Sequence, residues 1–221
     1  MIDLDASAAE RCNFPVDTEQ RAVAEDAIRS AASEGKLEQA ISLGVRYYGP
    51  EILGFLLAIL RDEQLAREVY SDWTEDVCRG LPGFRWQSTF RTWAYMLARH
   101  AWHRALARAD GAGTVPLSDA PEVAARPVHE RTPTLPYLRT DLKKKVARLR
   151  EGLAAEDQAL LILRVDRGLA WMEIAEVMLG PGGARRARAL ETEAAALRKR
   201  FERVKDRLRE LARKEHLFVD E

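Results

Sequence analysis

The sequence predicts an all-α protein with two helical domains joined by a flexible linker. Three observations lead to this prediction. Apolar residues recur at the three- and four-residue spacing of amphipathic helices along most of the chain. Capping residues, glycines and prolines mark the expected helix ends. Between residues 109 and 136 the periodicity stops and five prolines occur, which is typical of an extended linker.

A disordered tail, residues 1–16, is expected before the first domain, residues 17–108. Asp17 or Thr18 can cap a helix that runs to about Ser33, because a short polar side chain accepts hydrogen bonds from the first free N–H groups of a helix. The apolar surface of this domain is sufficient for a helical bundle with its own core.

Two further helices are predicted before residue 62. The first runs from Leu37 to Tyr48, and Gly49-Pro50 predicts a break, because proline suits the first turn of a helix better than its interior. The second, Glu51–Leu60, is nearly all apolar and should lie at the centre of the bundle. Its apolar run, Ile52–Leu60, is too short to cross a bilayer, so no membrane is expected as a partner.

An acidic amphipathic helix is predicted from its cap at Asp62 to Arg79. Its apolar stripe recurs every four residues, at Leu65, Val69, Trp73 and Val77. Acidic side chains lie off this stripe, at Glu68, Asp72, Glu75 and Asp76. Such charges are usually just solvated, but a complete acidic face also fits a basic partner.

A basic helix is predicted from its cap at Ser88 to Arg108, and this segment contains no acidic residue. Its basic residues are Arg91, Arg99, Arg104 and Arg108, with His100 and His103. Trp93 shares the apolar stripe with Phe90 and should pack in the core. Other aromatic side chains are better placed to stack on bases; they are Trp86 in the preceding loop, Tyr95 and Trp102. The helix therefore indicates single-stranded nucleic acid as a partner.

The second predicted domain, residues 137–214, is followed by a short tail, residues 215–221. Its expected helices are one that ends near Gly152, then Glu156–Arg167 stopped by Gly168, then Trp171–Leu179, and finally Leu190–Arg213. A glycine-rich turn separates the last two. A short helix, a turn and a longer basic helix together indicate a helix-turn-helix that binds DNA.

Five basic side chains of the last helix are predicted to contact duplex DNA, because lysine and arginine bind phosphates and arginine forks read base edges. They are Arg198, Lys199, Arg200, Arg203 and Arg207. An alternative use of this helix is a coiled-coil dimer, since its apolar residues alternate steps of four and three. These residues are Leu190, Ala194, Leu197, Phe201, Val204, Leu208 and Leu211. A stripe of this kind more often packs within its own chain.

Charge is balanced over the chain, with 35 basic and 35 acidic residues, but it is unevenly distributed. Residues 1–80 carry 16 acids and 8 bases, whereas the remainder carries 19 acids and 27 bases, which fits nucleic acid as a partner of the C-terminal part. The two cysteines and four scattered histidines form no ligand pattern, and no catalytic or nucleotide-binding motif occurs. We therefore expect a cytoplasmic protein with no enzyme activity, metal or cofactor.

The stretch from residue 62 to 108 resembles the second conserved region of bacterial RNA polymerase sigma factors, most of all the small extracytoplasmic-function group. Matching residues in its first helix are Ala66, Glu68, Val69, Asp72, Arg79, Gly80 and Leu81. Matching residues in its second helix are Phe90, Arg91, Trp93, Tyr95, Ala98 and Arg99. Ser71 and His100 stand where the family usually has glutamine and asparagine, so the sequence is a divergent one.

The second domain resembles the fourth conserved region of the same family. Glu173, Ile174 and Ala175 match its E-I-A phrase, and Leu160–Arg164 match the helix before it. The segment Leu179–Leu190 is longer than the turn that the family usually has at this place. The two resemblances occur in the family's order, with a linker between them.

The resemblance implies a sigma factor that binds core RNA polymerase and directs promoter recognition and opening in transcription initiation. Polymerase would be bound by the acidic helix, through Glu68, Asp72 and Glu75. The minus-ten element of promoter DNA would be bound by the loop 83–87 and the basic helix, through Trp86, Arg91, Tyr95, Arg99, Trp102 and His103. The last helix would bind the minus-thirty-five element. The resemblance also allows an anti-sigma protein as a partner.

Two other functions stay open on the sequence. A dimeric helix-turn-helix regulator would bind duplex DNA without initiating transcription, with the apolar stripe of the last helix as its interface. A helical adaptor would bind only protein. Co-elution with core RNA polymerase distinguishes the sigma factor from both.

Overall fold

The computed structural model describes residues 18–109, 149–150, 152–180 and 186–214. These residues form seven α-helices and no strand, which confirms the predicted all-α class. The helices are α1 Thr18–Ser33, α2 Leu37–Leu60, α3 Glu63–Gly80, α4 Phe90–Ala109, α5 Ala155–Leu161, α6 Trp171–Leu179 and α7 Arg186–Lys214. Apart from residue 109, the predicted tails and linker lie outside the described residues.

α2 is one helix of 24 residues, and the predicted break at Gly49-Pro50 is wrong. Proline inside a helix removes a backbone hydrogen bond and costs about 3 kcal/mol. Here the helix continues because large side chains on both sides of Pro50 enter one core, with Tyr48 before it and Phe55 and Leu56 after it. Each such buried side chain contributes about 1.5–3 kcal/mol, so together they outweigh the local penalty.

The joined helix is long and apolar enough, by length and composition alone, to cross a membrane. This is weak evidence for a membrane span, because the core helix of a folded domain has the same composition. In its most apolar 18-residue window, 44% is buried inside the protein. The helix accordingly acts as the central element that α1, α3 and α4 pack around, as the sequence predicted for Glu51–Leu60.

Trp73 of α3 is fully buried and joins the acidic helix to the basic one. Its indole Nε1–H donates to the carbonyl oxygen of Ala94 in α4 at 3.0 Å. Trp93 is also buried, and its ring stacks on Phe84 with 4.7 Å between centroids and meets Phe90 edge-on. The predicted core position of Trp93 is therefore confirmed.

Two helix starts show how the caps work. Asp62 caps α3 as predicted, since its Oδ1 accepts from the backbone N–H of Leu65 at 3.0 Å. α4 begins at Phe90, and the hydroxyl of Thr89 accepts from the N–H of Thr92 at 3.1 Å, so the predicted cap at Ser88 is wrong by one residue. Thr89 is equally suited to the position, and the sequence alone does not separate the two.

A carboxylate from a distant helix completes the start of α4. Glu25 of α1 accepts from the backbone N–H groups of Phe90 and Arg91, at 2.7 and 2.9 Å, and from the hydroxyl of Tyr48 at 2.7 Å. The first N–H groups of a helix have no partner within it, and the positive end of its dipole favours an anion. α1 thereby fixes where the basic helix begins.

α7 begins at Arg186, four residues before the predicted start near Leu190, so fewer residues separate α6 from α7 than expected. Its apolar stripe is buried against helices of the same chain. Leu190, Ala194, Leu197 and Val204 are buried, and Phe201 and Leu208 pack beside them. The stripe therefore serves the intramolecular core, and little of it is left for a coiled-coil partner.

The helices of the C-terminal half pack directly on the N-terminal bundle. One continuous apolar cluster contains Ala98 and Trp102 of α4 together with Leu160 of α5 and Ile174 and Val177 of α6. α6 lies along α4. The face of α4 turned away from its own bundle is thus covered by α5 and α6.

Candidate nucleic-acid and polymerase interface

The predicted polymerase-binding acids lie on the outer face of α3. Glu68 and Glu75 are exposed, and their described partners, Gln64 and Arg79, lie one turn away on the same helix. Asp72 is only half-exposed and accepts from Arg108 of α4 at 2.6 Å. Glu68 and Glu75 are therefore open to a partner, whereas Asp72 is held by the neighbouring helix.

Some of the acidic side chains of α3 form ion pairs with basic side chains of α4. Besides the pair of Asp72 with Arg108, Asp76 accepts from Arg104 of α4. These pairs hold the exposed edges of α3 and α4 together. Their contribution to stability is modest, because partly exposed ion pairs typically contribute about 0.2–1 kcal/mol.

Four of the six side chains predicted to bind the minus-ten element are buried. Exposed fractions are 7% for Arg91, 0% for Tyr95, 6% for Arg99 and 2% for Trp102. Arg91 donates through Nε to Glu51 at 3.0 Å, and the Tyr95 hydroxyl donates to the same carboxylate at 2.7 Å. In this arrangement these four side chains face protein and are not accessible to a partner.

Arg99 and His103 meet a carboxylate of the C-terminal half. Glu156 of α5 accepts from Arg99 Nη2 at 2.8 Å and lies 2.7 Å from His103 Nε2. Arg99 also donates to the carbonyl oxygen of Met178 in α6 at 3.1 Å. Burial opposes ionisation of Glu156, but the hydrogen bonds and charges of His103 and Arg99 outweigh it and lower the pKa of this carboxyl. We call Arg99, His103 and Glu156 the Glu156 cluster.

Further contacts join the same two surfaces. Arg91 donates to the carbonyl oxygen of Arg167 at 2.9 Å, and the Thr92 hydroxyl donates to Glu173 at 3.3 Å. The polar face of α4, which the sequence indicated as a nucleic-acid surface, is thus matched by hydrogen-bond acceptors from α5, α6 and the segment between them.

The remaining residue of the predicted minus-ten set, Trp86, is half-exposed in the loop before α4. Its ring lies 4.8 Å from that of Phe84, and the guanidinium of Arg29 lies 5.9 Å from its centroid. Its φ is 55°, in the left-handed region that side chains other than glycine rarely adopt. This strain marks the loop as a place where packing overrides backbone preference.

The same loop borders a cavity of about 380 Å³ between the end of α3, α4 and α6. Phe84 and Trp93 contribute aromatic walls, and His100 and Glu176 contribute polar groups. Among the described residues, His100 Nε2 has no hydrogen-bond partner. The cavity lies beside the loop that the sequence predicts to bind DNA.

His100 makes stability depend on pH. Burial, with the nearby charges of Arg99 and Arg104, lowers its pKa to about 4 from the ordinary 6.5. As pH falls from 6.5 towards about 4, the unfolded chain takes up this proton while the folded chain does not, so the contribution of His100 to stability is fully present above 6.5 and is lost through this window. We expect His100→Asn to flatten that decline in urea unfolding. Identical pH profiles for the two proteins would contradict this.

The basic side chains predicted on α7 are mostly available. Arg198, Lys199, Arg203 and Arg207 are exposed. Arg200 instead donates to Asp157 of α5 at 2.6 Å, so it braces the C-terminal half. The sequence did not indicate that Arg200 would form an ion pair within the chain.

Trp171, at the start of α6, organises a small cationic cluster that the sequence analysis missed. The guanidinium carbons of Arg164 and Arg198 lie 4.8 and 5.9 Å from its ring centroid, and Phe201 meets it edge-on at 5.5 Å. Stacking on an aromatic face restrains an arginine while leaving its N–H groups free. Trp171 therefore positions Arg198. The feature of the sequence that could have indicated this cluster is an aromatic residue, Trp171, at the first position of a predicted helix.

No group of three histidine, cysteine, aspartate or glutamate side chains within the described ranges is arranged to hold a metal ion. Cys78 is exposed and unpaired, while Cys12 lies outside those ranges.

Comparison with known proteins matches residues 45–111 to the family model for sigma-70 region 2. That segment includes α3, α4 and the C-terminal part of α2. The chain is 28% identical over 144 residues to RNA polymerase sigma factor YlaC of Bacillus subtilis, covering 60% of this chain and 76% of YlaC. It is 28% identical over 163 residues to the RNA polymerase sigma-H factor of Pseudomonas aeruginosa, covering 72% of this chain and 84% of that protein.

Proposed function

We propose that this chain, which is a divergent bacterial RNA polymerase sigma factor of the extracytoplasmic-function type, binds core polymerase through α3 and directs it to a promoter through α4 and α7. As a transcription initiation factor it acts in the cytoplasm and has no catalytic role of its own. Its partners are core RNA polymerase and promoter DNA.

The observation that supports this most directly is the position of the region 2 match. Residues 45–111 contain both the exposed acids Glu68 and Glu75 and the acid-free helix α4. An acidic surface next to a basic, aromatic one fits a protein that binds a basic surface of a large partner and nucleic acid at the same time.

Two surfaces are proposed to contact the promoter, and one of them is exposed while the other is covered. The exposed basic residues of α7 are accessible to the minus-thirty-five duplex as the chain stands. The minus-ten surface of α4 is covered, so its use in promoter opening requires α5 and α6 to leave α4. Trp86 and the loop around it would then meet the opened strand together with α4.

The dimeric regulator is the weaker candidate. Its interface would be the apolar stripe of α7, and the described part of that stripe is packed against Leu153, Leu161 and the core of the same chain. A dimer through this stripe would first have to unpack it.

The test of polymerase binding is a charge reversal on α3. We expect Glu68→Lys with Glu75→Lys to weaken binding to bacterial core RNA polymerase by about 100-fold or more, because like charges facing each other in an interface cost several kcal/mol. Co-elution in gel filtration measures the loss. The matched control is Asp26→Lys with Glu38→Lys, the same charge change at exposed positions of α1 and α2.

Circular dichroism of all three proteins checks that the helices are intact. The docking assignment is wrong if the α3 variant still co-elutes with polymerase at native helix content, or if the control loses binding equally.

A further inference from the structure

The chemistry of the Glu156 cluster is that of a phosphate site. Arg99 faces one carboxylate with two nitrogens, Nη2 at 2.8 Å from Oε1 and Nε at 3.4 Å from Oε2. His103 approaches Oε1 from a second direction, with its Nε2 at 2.7 Å. An arginine fork accepts a carboxylate and a phosphodiester with the same two-pronged geometry. Glu156 therefore stands where an oxygen pair of a nucleic-acid backbone would be bound by Arg99 and His103.

The cluster is closed to any second anion. Exposed fractions of the side chains are 8% for Arg99 and 10% for His103, against 24% for Glu156. The carboxylate is the most exposed member of the cluster, and the side chains of Arg99 and His103 are more deeply buried. A strand of DNA can pair with Arg99 only by taking the place of Glu156, so the two occupants exclude each other.

Displacement of Glu156 from Arg99 would also weaken the packing of α5 and α6 on α4. Glu156 is on α5, and the same arginine also donates to Met178 of α6, so releasing Arg99 loosens both covering helices. The polar contacts that remain around it, from Thr92 to Glu173 and from Arg91 to the Arg167 carbonyl, are single hydrogen bonds, and they lie beside the apolar cluster shared by α4, α5 and α6. Each contributes about 0.5–1.5 kcal/mol net.

We propose that Glu156 is an internal substitute for a DNA phosphate, which keeps the minus-ten surface of α4 closed until single-stranded DNA displaces it. This rests on the proposed function, because it takes α4 as the DNA-binding surface. In this proposal α5 and α6 restrict which polyanions can bind to α4. An isolated basic surface would bind any polyanion, whereas this one binds only where the competing strand outweighs the Glu156 cluster.

The experiment compares Glu156→Gln with Asp157→Asn in the full chain. The first keeps side-chain shape and removes the charge facing Arg99 and His103. The second makes the same chemical change one residue away, where the carboxylate pairs with Arg200 of α7 instead of a residue of α4. Binding of a short fluorescent single-stranded DNA of mixed sequence is followed by anisotropy at constant salt.

We expect Glu156→Gln to bind this DNA at least about fivefold more tightly than the native chain, because apparent affinity rises with the open fraction. Asp157→Asn should bind like the native chain. Small-angle X-ray scattering gives a readout without DNA: Glu156→Gln should have a larger radius of gyration, and Asp157→Asn should not. Circular dichroism confirms folding, and Glu156→Ala is the second variant if glutamine still holds the contact.

The outcomes separate the two proposals. If native affinity and radius persist in both Glu156 variants, the cluster does not close the surface, although the sigma-factor function stands wherever polymerase still co-elutes. If the radius grows but single-stranded DNA binds no better, nucleic acid is not the competitor and the inference is wrong. If neither polymerase nor DNA binds any variant, the proposed function fails, and this inference fails with it.

Discussion

Replacing Glu51 with alanine is expected to lower the free energy of unfolding by about 3–5 kcal/mol. Glu51 is 8% exposed and accepts from Arg91 and from the Tyr95 hydroxyl, inside the bundle. Its removal leaves the guanidinium of Arg91, itself 7% exposed, without the anion that balances it. Leaving a charge buried without its partner destabilises the folded state by far more than forming the pair stabilises it.

Urea unfolding followed by circular dichroism measures the Glu51 effect. Glu51→Gln should fall between the native protein and Glu51→Ala, since an amide keeps hydrogen-bond acceptors but no charge. Glu202→Ala breaks an ion pair with Lys205 on the outer face of α7 and should change stability little. A Glu51→Ala protein within about 1 kcal/mol of the native one would mean that water reaches Arg91, so that its charge is not buried.

Replacing Trp73 with alanine should also lower the free energy of unfolding by about 3–5 kcal/mol, the usual range for removing a large aromatic side chain from a core. Trp73 is fully buried between α3 and α4, and its loss leaves the Ala94 carbonyl without the indole donor. Because the change separates the acidic helix from the basic one, we expect polymerase binding to weaken at temperatures where the variant begins to unfold.

The control for Trp73 is Tyr47→Ala on α2, an aromatic truncation at a side chain that is 47% exposed. It should be close to neutral, as most surface substitutions are. A shift of the Trp73→Ala unfolding midpoint no larger than that of Tyr47→Ala would show that α3 and α4 repack around the missing ring, and the rigid core described above would be wrong.

Local patterns were sufficient to predict most helices. The stripe of Leu65, Val69, Trp73 and Val77 predicted α3 and its buried face, and Asp62 predicted its start. Those features depend on residues within one or two turns of each other, which the sequence displays directly. Pro50 was misjudged for the opposite reason: its local penalty is overruled by burial of side chains that only tertiary structure brings together.

The surroundings of the candidate site could not be predicted in the same way. Helical periodicity shows that α4 has an apolar face, and composition shows that its other face is basic. Neither shows that Glu156, 57 residues after Arg99, comes to lie against it. The same charge pattern suits a surface open to DNA and a surface matched by another helix, and only the packing of α5 and α6 decides between them.

The carboxylate of Glu25 at the start of α4 has a consequence for how the chain folds. The N–H groups of Phe90 and Arg91 find their acceptor 65 and 66 residues earlier in the chain, so the first turn of α4 is secured only once α1 has docked. Their amide hydrogens should exchange with solvent at the rate at which α1 detaches, ahead of those in the middle of the helix. A binding partner that pulled α1 away would fray α4 from this end without touching it.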